Sequence, residues 1–166
     1  MKRIASSVVG ALMLAAAPPG HAEDAIVTYK SLAPDTALEL ARAALQQCRK
    51  DGYQVAVVVL DRFGQPLVTL RDRFAPAAAL DIANGKAWTA VTYTRNTSDF
   101  VEAIKNGTLS AGLATQPRVT PLSGGLVIEA GGSLLGGVGV AGASGGDKDE
   151  ACAKAGLDSV RDKLEF

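Results

Sequence analysis

Two stretches of the chain read as β-hairpins, and between them lies an alanine-rich segment with side chains small enough for a helix to sit directly on a sheet. In the first hairpin, the valine-rich apolar run of QVAVVVL is followed by a DRFG turn and then QPLVTL, two strand-forming runs separated by turn residues. In the second, GLVIEA and SLLGGVGVAG flank Gly131-Gly132, a two-residue connection of the kind that needs positive φ. Strands joined so tightly pair antiparallel, which confines the chain to folds with a largely antiparallel sheet. Pro66, near the start of its strand, suits an edge or a bulge because proline has no N–H to give to a ladder.

Helical periodicity accounts for much of the rest. After the entry arm EDAIVTYKSLAPD, a helix starts at Pro34 or Asp35 and runs to about Lys50. Leu38, Ala41, Leu45 and Cys48 form its apolar stripe, Glu39, Arg42, Gln46 and Arg49 face outward, and Asp51-Gly52 ends it. Residues 75–93 form the second long helix, with Pro76 at an early position that tolerates proline. On it Leu80, Ala83, Ala87, Ala90 and Val91 share a face, and Ile82, Lys86, Thr89 and Tyr93 lie nearly opposite. That opposite face reads either as solvent with some subunit contact or as a ligand surface, because apolar, cationic and hydroxyl groups converge on it. Residues 98–106 read as a short helix capped by Ser98, followed by a long loop that a strand over residues 118–122 would shorten. The last helix spans DKDEACAKAGLDSVRDKLEF, its acidic start matching the helix dipole and Cys152, Ala155, Val160 and Leu164 running along it. The fold class is α+β in a layered arrangement.

The first 22 residues are set apart. Lys2 and Arg3, an apolar run over residues 4–17 and small residues at Gly20 and Ala22 read as a secretory signal peptide cut after Ala22. The run is short for a membrane span, and no second one of about 20 apolar residues follows. Residues 23–166 are then one domain of 144 residues (166 less 22), periplasmic or secreted. Loss of Lys2 and Arg3 leaves 15 Lys and Arg against 17 Asp and Glu, a formal charge of −2 that does not suit nucleic acid. His21, the one histidine, and both methionines, Met1 and Met13, fall in the leader. A Ser-His-Asp triad, a histidine-ligated zinc and a histidine- or methionine-ligated haem iron are thereby excluded from the mature chain.

Cys48 and Cys152 are the two cysteines. In an oxidising compartment a disulfide between them can persist; two separate buried thiols are the alternative. If the first and last helices lie antiparallel on one sheet face, the end of the first meets the start of the last, where these cysteines sit.

Three further patterns carry less. Gly137, Gly139 and Gly142 match G-x-G-x-x-G, but they fall inside a hairpin strand with no βαβ unit around it, so they mark a close approach of a helix or subunit rather than a dinucleotide site. The glycosylation patterns at Asn96 and Asn106 read as chance. The cluster Arg62, Arg71, Asp72 and Arg73 reads as solvated charge, or as a carboxylate-binding group.

The stretches VAVVVLDRFGQPLVTLRDRFAPAAALDIANGKAWTA and TPLSGGLVIEAGGSLLGGVGVAGASGGDKDEACAKAGLDSV resemble the GlcG/HbpS family. The closing GVGVAGASGGDKDE matches the family's hallmark run, Lys86-Ala87-Trp88-Thr89-Ala90 its K-A-x-T-A helix signature, and Thr97 a threonine in the following loop. Arg73-Phe74-Ala75 departs from the small residue pair usual after Arg-x-Asp. The resemblance implies a profilin-like fold, a central antiparallel sheet with helices on both faces, and homo-oligomers. It further implies a non-catalytic haem- or tetrapyrrole-binding protein for haem capture or redox sensing. Alternatives are an accessory protein or enzyme acting on a small hydroxy or oxo acid, with Arg71 or Arg73 on its carboxylate, and a ligand-free interaction module. For haem, the expected contacts are Tyr93, Lys86, Thr89 and Thr97, with Arg71, Arg73 or Arg95 on the propionates. The axial ligand would come from Tyr29, Tyr53, Tyr93, a threonine such as Thr97, a lysine or a free cysteine.

Overall fold

The computed structural model describes residues 26–165; the signal-peptide expectation for residues 1–22 lies outside them. Helix α1 (Pro34–Lys50) is followed by strands β1 (Ala56–Asp61) and β2 (Pro66–Arg71), helices α2 (Ala79–Tyr93) and α3 (Thr97–Lys105) and a 3-10 helix (Ala111–Thr115). Strands β3 (Gly125–Ala130) and β4 (Ser133–Ala141) and helices α4 (Gly146–Asp158) and α5 (Arg161–Leu164) complete it. The four strands form one antiparallel sheet in the order β2-β1-β4-β3. Both hairpins form as the sequence predicts. Asp61 shapes the first turn by accepting N–H bonds from Phe63 and Gln65, and Gly131 and Gly132 both take positive φ in the second. Pro66 stands on an edge strand, at a register shift opposite Leu60.

Strand alternation divides the core in two. Val55, Val57 and Val59 face a cluster with α1 and α4, whereas Ala56, Val58 and Leu60 face α2. A central strand buried on both sides has to be a continuous apolar run, which is what the valines of β1 supply. On β4 the same alternation sends Val138 and Val140 to the first side and Gly137 and Gly139 beneath α2. A methyl group on Gly139 would collide with the Ala83 carbonyl, so the small face of α2 rests on bare backbone. The G-x-G-x-x-G pattern is therefore a packing seam.

Helices α1 and α4 run antiparallel, because Cys152 meets Cys48 while Gly156, one turn on, meets Ala44 and the Leu40 carbonyl. Cys48 and Cys152 are disulfide-bonded, with Cα atoms 5.5 Å apart. The buried stripe of α1 comprises Ala37, Leu40, Ala41, Ala44, Leu45 and Cys48, leaving Leu38 half-buried.

Four local expectations are corrected. Helix α2 begins at Ala79 rather than residue 75, since Asp72 O and Pro76 O accept from Ala75 and Ala79 in turns that carry the chain around the sheet end. Ser98 does not cap α3; it lies inside the helix, and its hydroxyl donates to Glu150 Oε1 on α4 at 2.9 Å. Residues 118–122 form no strand, being held against α2 instead. The last helix breaks after Asp158, where Val160 turns inward to complete the core.

Candidate functional site

The polar residues singled out on α2 are held by the protein's own groups. Lys86 is 2% exposed, and its ammonium donates to Val140 O at 2.9 Å and to Asp149 Oδ2 at 2.6 Å. Asp149 in turn accepts the Ala143 N–H at 3.0 Å. Thr89 donates to Gly85 O and accepts from Thr120 N, which pins the loop before β3 onto α2. The reading of the Ile82, Lys86, Thr89 and Tyr93 face as solvent is corrected at Lys86 and Thr89, which are buried. The helix is covered by the sheet on one side and by that loop and the start of α4 on the other, so two of the four side chains are internal ties.

Thr97 is also structural. Its hydroxyl accepts from Gly125 N at 2.9 Å and donates to Gly125 O at 3.3 Å, while Asn96 Oδ1 accepts from Val127 N. Together they cover part of the outer edge of β3, which would otherwise offer unpaired backbone groups. Tyr93 packs on Phe100 with ring centroids 4.6 Å apart. Arg71 donates to Ala75 O, Arg73 lies beside the Phe74 ring, and Arg95 is exposed. The arginine cluster is not one group: buried Asp72 belongs to Arg49, which reaches it through Nε at 2.7 Å, and Arg62 stacks over Tyr29.

Of the α2 face and Thr97, expected to hold the ring, Ile82 and Lys86 border a cleft, whereas Thr89, Tyr93 and Thr97 do not. A cleft of about 470 Å³ opens between α2, α3, the loop before β3 and the start of α4, within the size range of small-molecule sites. Ile82, Val101, Pro121 and Leu122 supply apolar lining, Lys86 and Asp149 a polar element, and Gly145 to Asp147 border it at α4. Gly124 makes room for the ion pair. At its φ of +115° an added Cβ would stand 2.7 Å from Asp149 Cβ and 3.0 Å from Lys86 Nζ. The hydrogen-bonded Lys148 ammonium holds the Asp147 carboxyl below the usual carboxylate range. Arg71, Arg73 and Arg95, the arginines expected on a carboxylate, do not line the cleft.

Among the site residues that sequence reasoning missed are Asp149, Val101, Pro121, Leu122 and Ser123. A signal for Asp149 was present, because Lys86 and Asp149 sit in the K-A-x-T-A and GGDKDE stretches, and their ion pair joins the two. Leu122 and Ser123 lie in a loop without periodicity, where no comparable signal exists.

An antiparallel α+β sheet with helices on both faces and an apolar-lined cleft at its α2 side defines the class of this domain. The model for the family described as haem degrading protein HbpS-like matches residues 32–158, and the chain belongs to that family. A double mutant of Streptomyces reticuli HbpS superposes with a TM-score of 0.77 at 38% identity, covering 87% of this chain and 97% of that one. PduOC in complex with haem superposes with a TM-score of 0.73 at 28% identity, over 78% of this chain and 95% of that one. The corrinoid adenosyltransferase PduO of Salmonella typhimurium is 31% identical over 133 residues, 79% of this chain but 39% of its own length. The chain therefore spans about two fifths of that curated relative.

Against haem, the cleft residues fit the ring and not the iron. The apolar side chains suit a macrocycle face, but no histidine follows His21 and no methionine follows Met13. Both cysteines are oxidised. Tyr29 packs on Phe63, the Tyr53 hydroxyl pairs with Ser144 Oγ, Tyr93 packs on Phe100, and none of the three lines the cleft.

Proposed function

We propose that the chain is a secreted or periplasmic haem- or tetrapyrrole-binding protein, a homo-oligomer without turnover of its own, serving haem capture or sensing. The observation that carries this reading is the cleft, in which Ile82, Val101, Pro121 and Leu122 offer apolar contact to a planar ring beside a neutralised Lys86–Asp149 pair. A haem complex of a relative with the same fold supports it. The Cys48–Cys152 disulfide supports a location outside the reducing cytosol, as does the leader-like composition of residues 1–22. The family's description carries haem degradation. Binding without turnover is the better reading here, because the cleft lacks an imidazole or thioether to hold a reacting iron.

Titration with haemin, followed in the visible spectrum, gives a saturable, shifted Soret band with fixed stoichiometry. Ile82→Glu, which sets a carboxylate in the apolar lining, weakens binding by about tenfold or more. A Soret band that stays at the free-haem position up to high micromolar protein contradicts the proposal.

A further inference from the structure

We infer that this chain recognises the tetrapyrrole ring and is indifferent to the metal at its centre, so that metal-free protoporphyrin binds as tightly as haem. The inference deepens the proposed function and rests on the cleft as its site.

It follows from accounting for the side-chain donors that the described residues bring to the cleft. Imidazole and thioether are missing beyond residue 21, in this chain and equally in a second copy beyond that point. The sulfurs of Cys48 and Cys152 are bonded to one another in the core. The Lys86 nitrogen lines the cleft, but as an ammonium paired with Asp149 it has no lone pair to give. The tyrosines lie elsewhere, as described, and the Thr97 hydroxyl is bonded to both backbone groups of Gly125, outside the cleft lining. Three oxygen groups remain at the cleft. Asp149 is occupied at both oxygens, by Lys86 and by Ala143 N. Asp147 is largely exposed and paired with Lys148, and Ser123 offers a neutral hydroxyl, a weak ligand. What the cleft does offer is apolar contact, and a porphyrin ring buries the same apolar area with or without a metal. Affinity then comes from the macrocycle, and the protein carries porphyrin before metal insertion or after metal loss as readily as haem.

The test uses the full chain and three probes: haemin, zinc protoporphyrin and metal-free protoporphyrin IX. Trp88, the one tryptophan, lies on α2 against Gly64 and Arg118, away from the cleft lining, and reports all three by energy transfer to the porphyrin. The expected result is three dissociation constants within about threefold of one another, unchanged by His21→Ala. Haemin binding about tenfold or more tighter than metal-free porphyrin overturns the inference while leaving haem binding intact, and so does a preference for haemin that His21→Ala abolishes. If none of the three binds, the proposed function fails and the inference with it.

Discussion

Replacing Lys86 by methionine lowers the unfolding free energy by about 3–5 kcal/mol. The side chains of Lys86 and Asp149 are 2% and 6% exposed, and their 2.6 Å contact is the charge compensation available to either among the described residues. Truncating one partner leaves the Asp149 carboxylate buried beneath Gly124 with only the Ala143 N–H, and it leaves Val140 O without the lysine donor. The cost is that of an uncompensated charge rather than of one hydrogen bond. The double variant Lys86→Met with Asp149→Asn recovers much of the loss, since the asparagine oxygen still accepts from Ala143 N and no charge remains buried. Urea unfolding of the wild type, both single variants and the double variant measures this coupling directly. A Lys86→Met chain within 1 kcal/mol of wild type would show that the pair is open to water.

The disulfide carries the second large effect. Joining Cys48 to Cys152, 104 residues apart, restricts the unfolded chain by about 4 kcal/mol on the chain-entropy model. In the folded state it clamps the C-terminal end of α1 to the first half of α4, and Asp149 lies on α4 one turn before Cys152. The clamp and the Lys86 ion pair thus hold the same helix from opposite sides of the sheet layer. Cys48→Ala with Cys152→Ala therefore lowers the urea midpoint strongly, and reductant reproduces the shift in the wild type. Equal midpoints with and without reductant would mean that the bond adds nothing to the fold.

Much of the architecture was legible because it rests on short-range pattern. The valines of β1 and the Gly131-Gly132 turn carry their structural meaning locally. So does the small face of α2, which matches Gly137 and Gly139 on β4. The site was less legible for a physical reason. Lys86, Thr89 and Thr97 are polar residues whose partners are Asp149, Thr120 and Gly125, from 28 to 63 residues away. From sequence alone, a polar helix face that is tied down by a loop looks the same as one that awaits a ligand. The misplaced start of α2 has a similar origin: Pro76 is compatible with a first helical turn, and only the turns at Ala75 and Ala79 reveal that the chain is still rounding the sheet end. The cleft itself depends on Pro121 and Leu122, loop residues that periodicity does not place.

The most direct measurement is a backbone amide NMR map of the chain with and without a diamagnetic porphyrin, such as zinc protoporphyrin. Shifts concentrated at Ala79, Ile82, Val101, Leu122 and Gly145 to Asp147 are the predicted result, with Arg71, Tyr93 and Arg95 unmoved. Shifts gathered instead around Tyr93 and Arg95, or along β2, would contradict the cleft as the place where this protein holds its ligand.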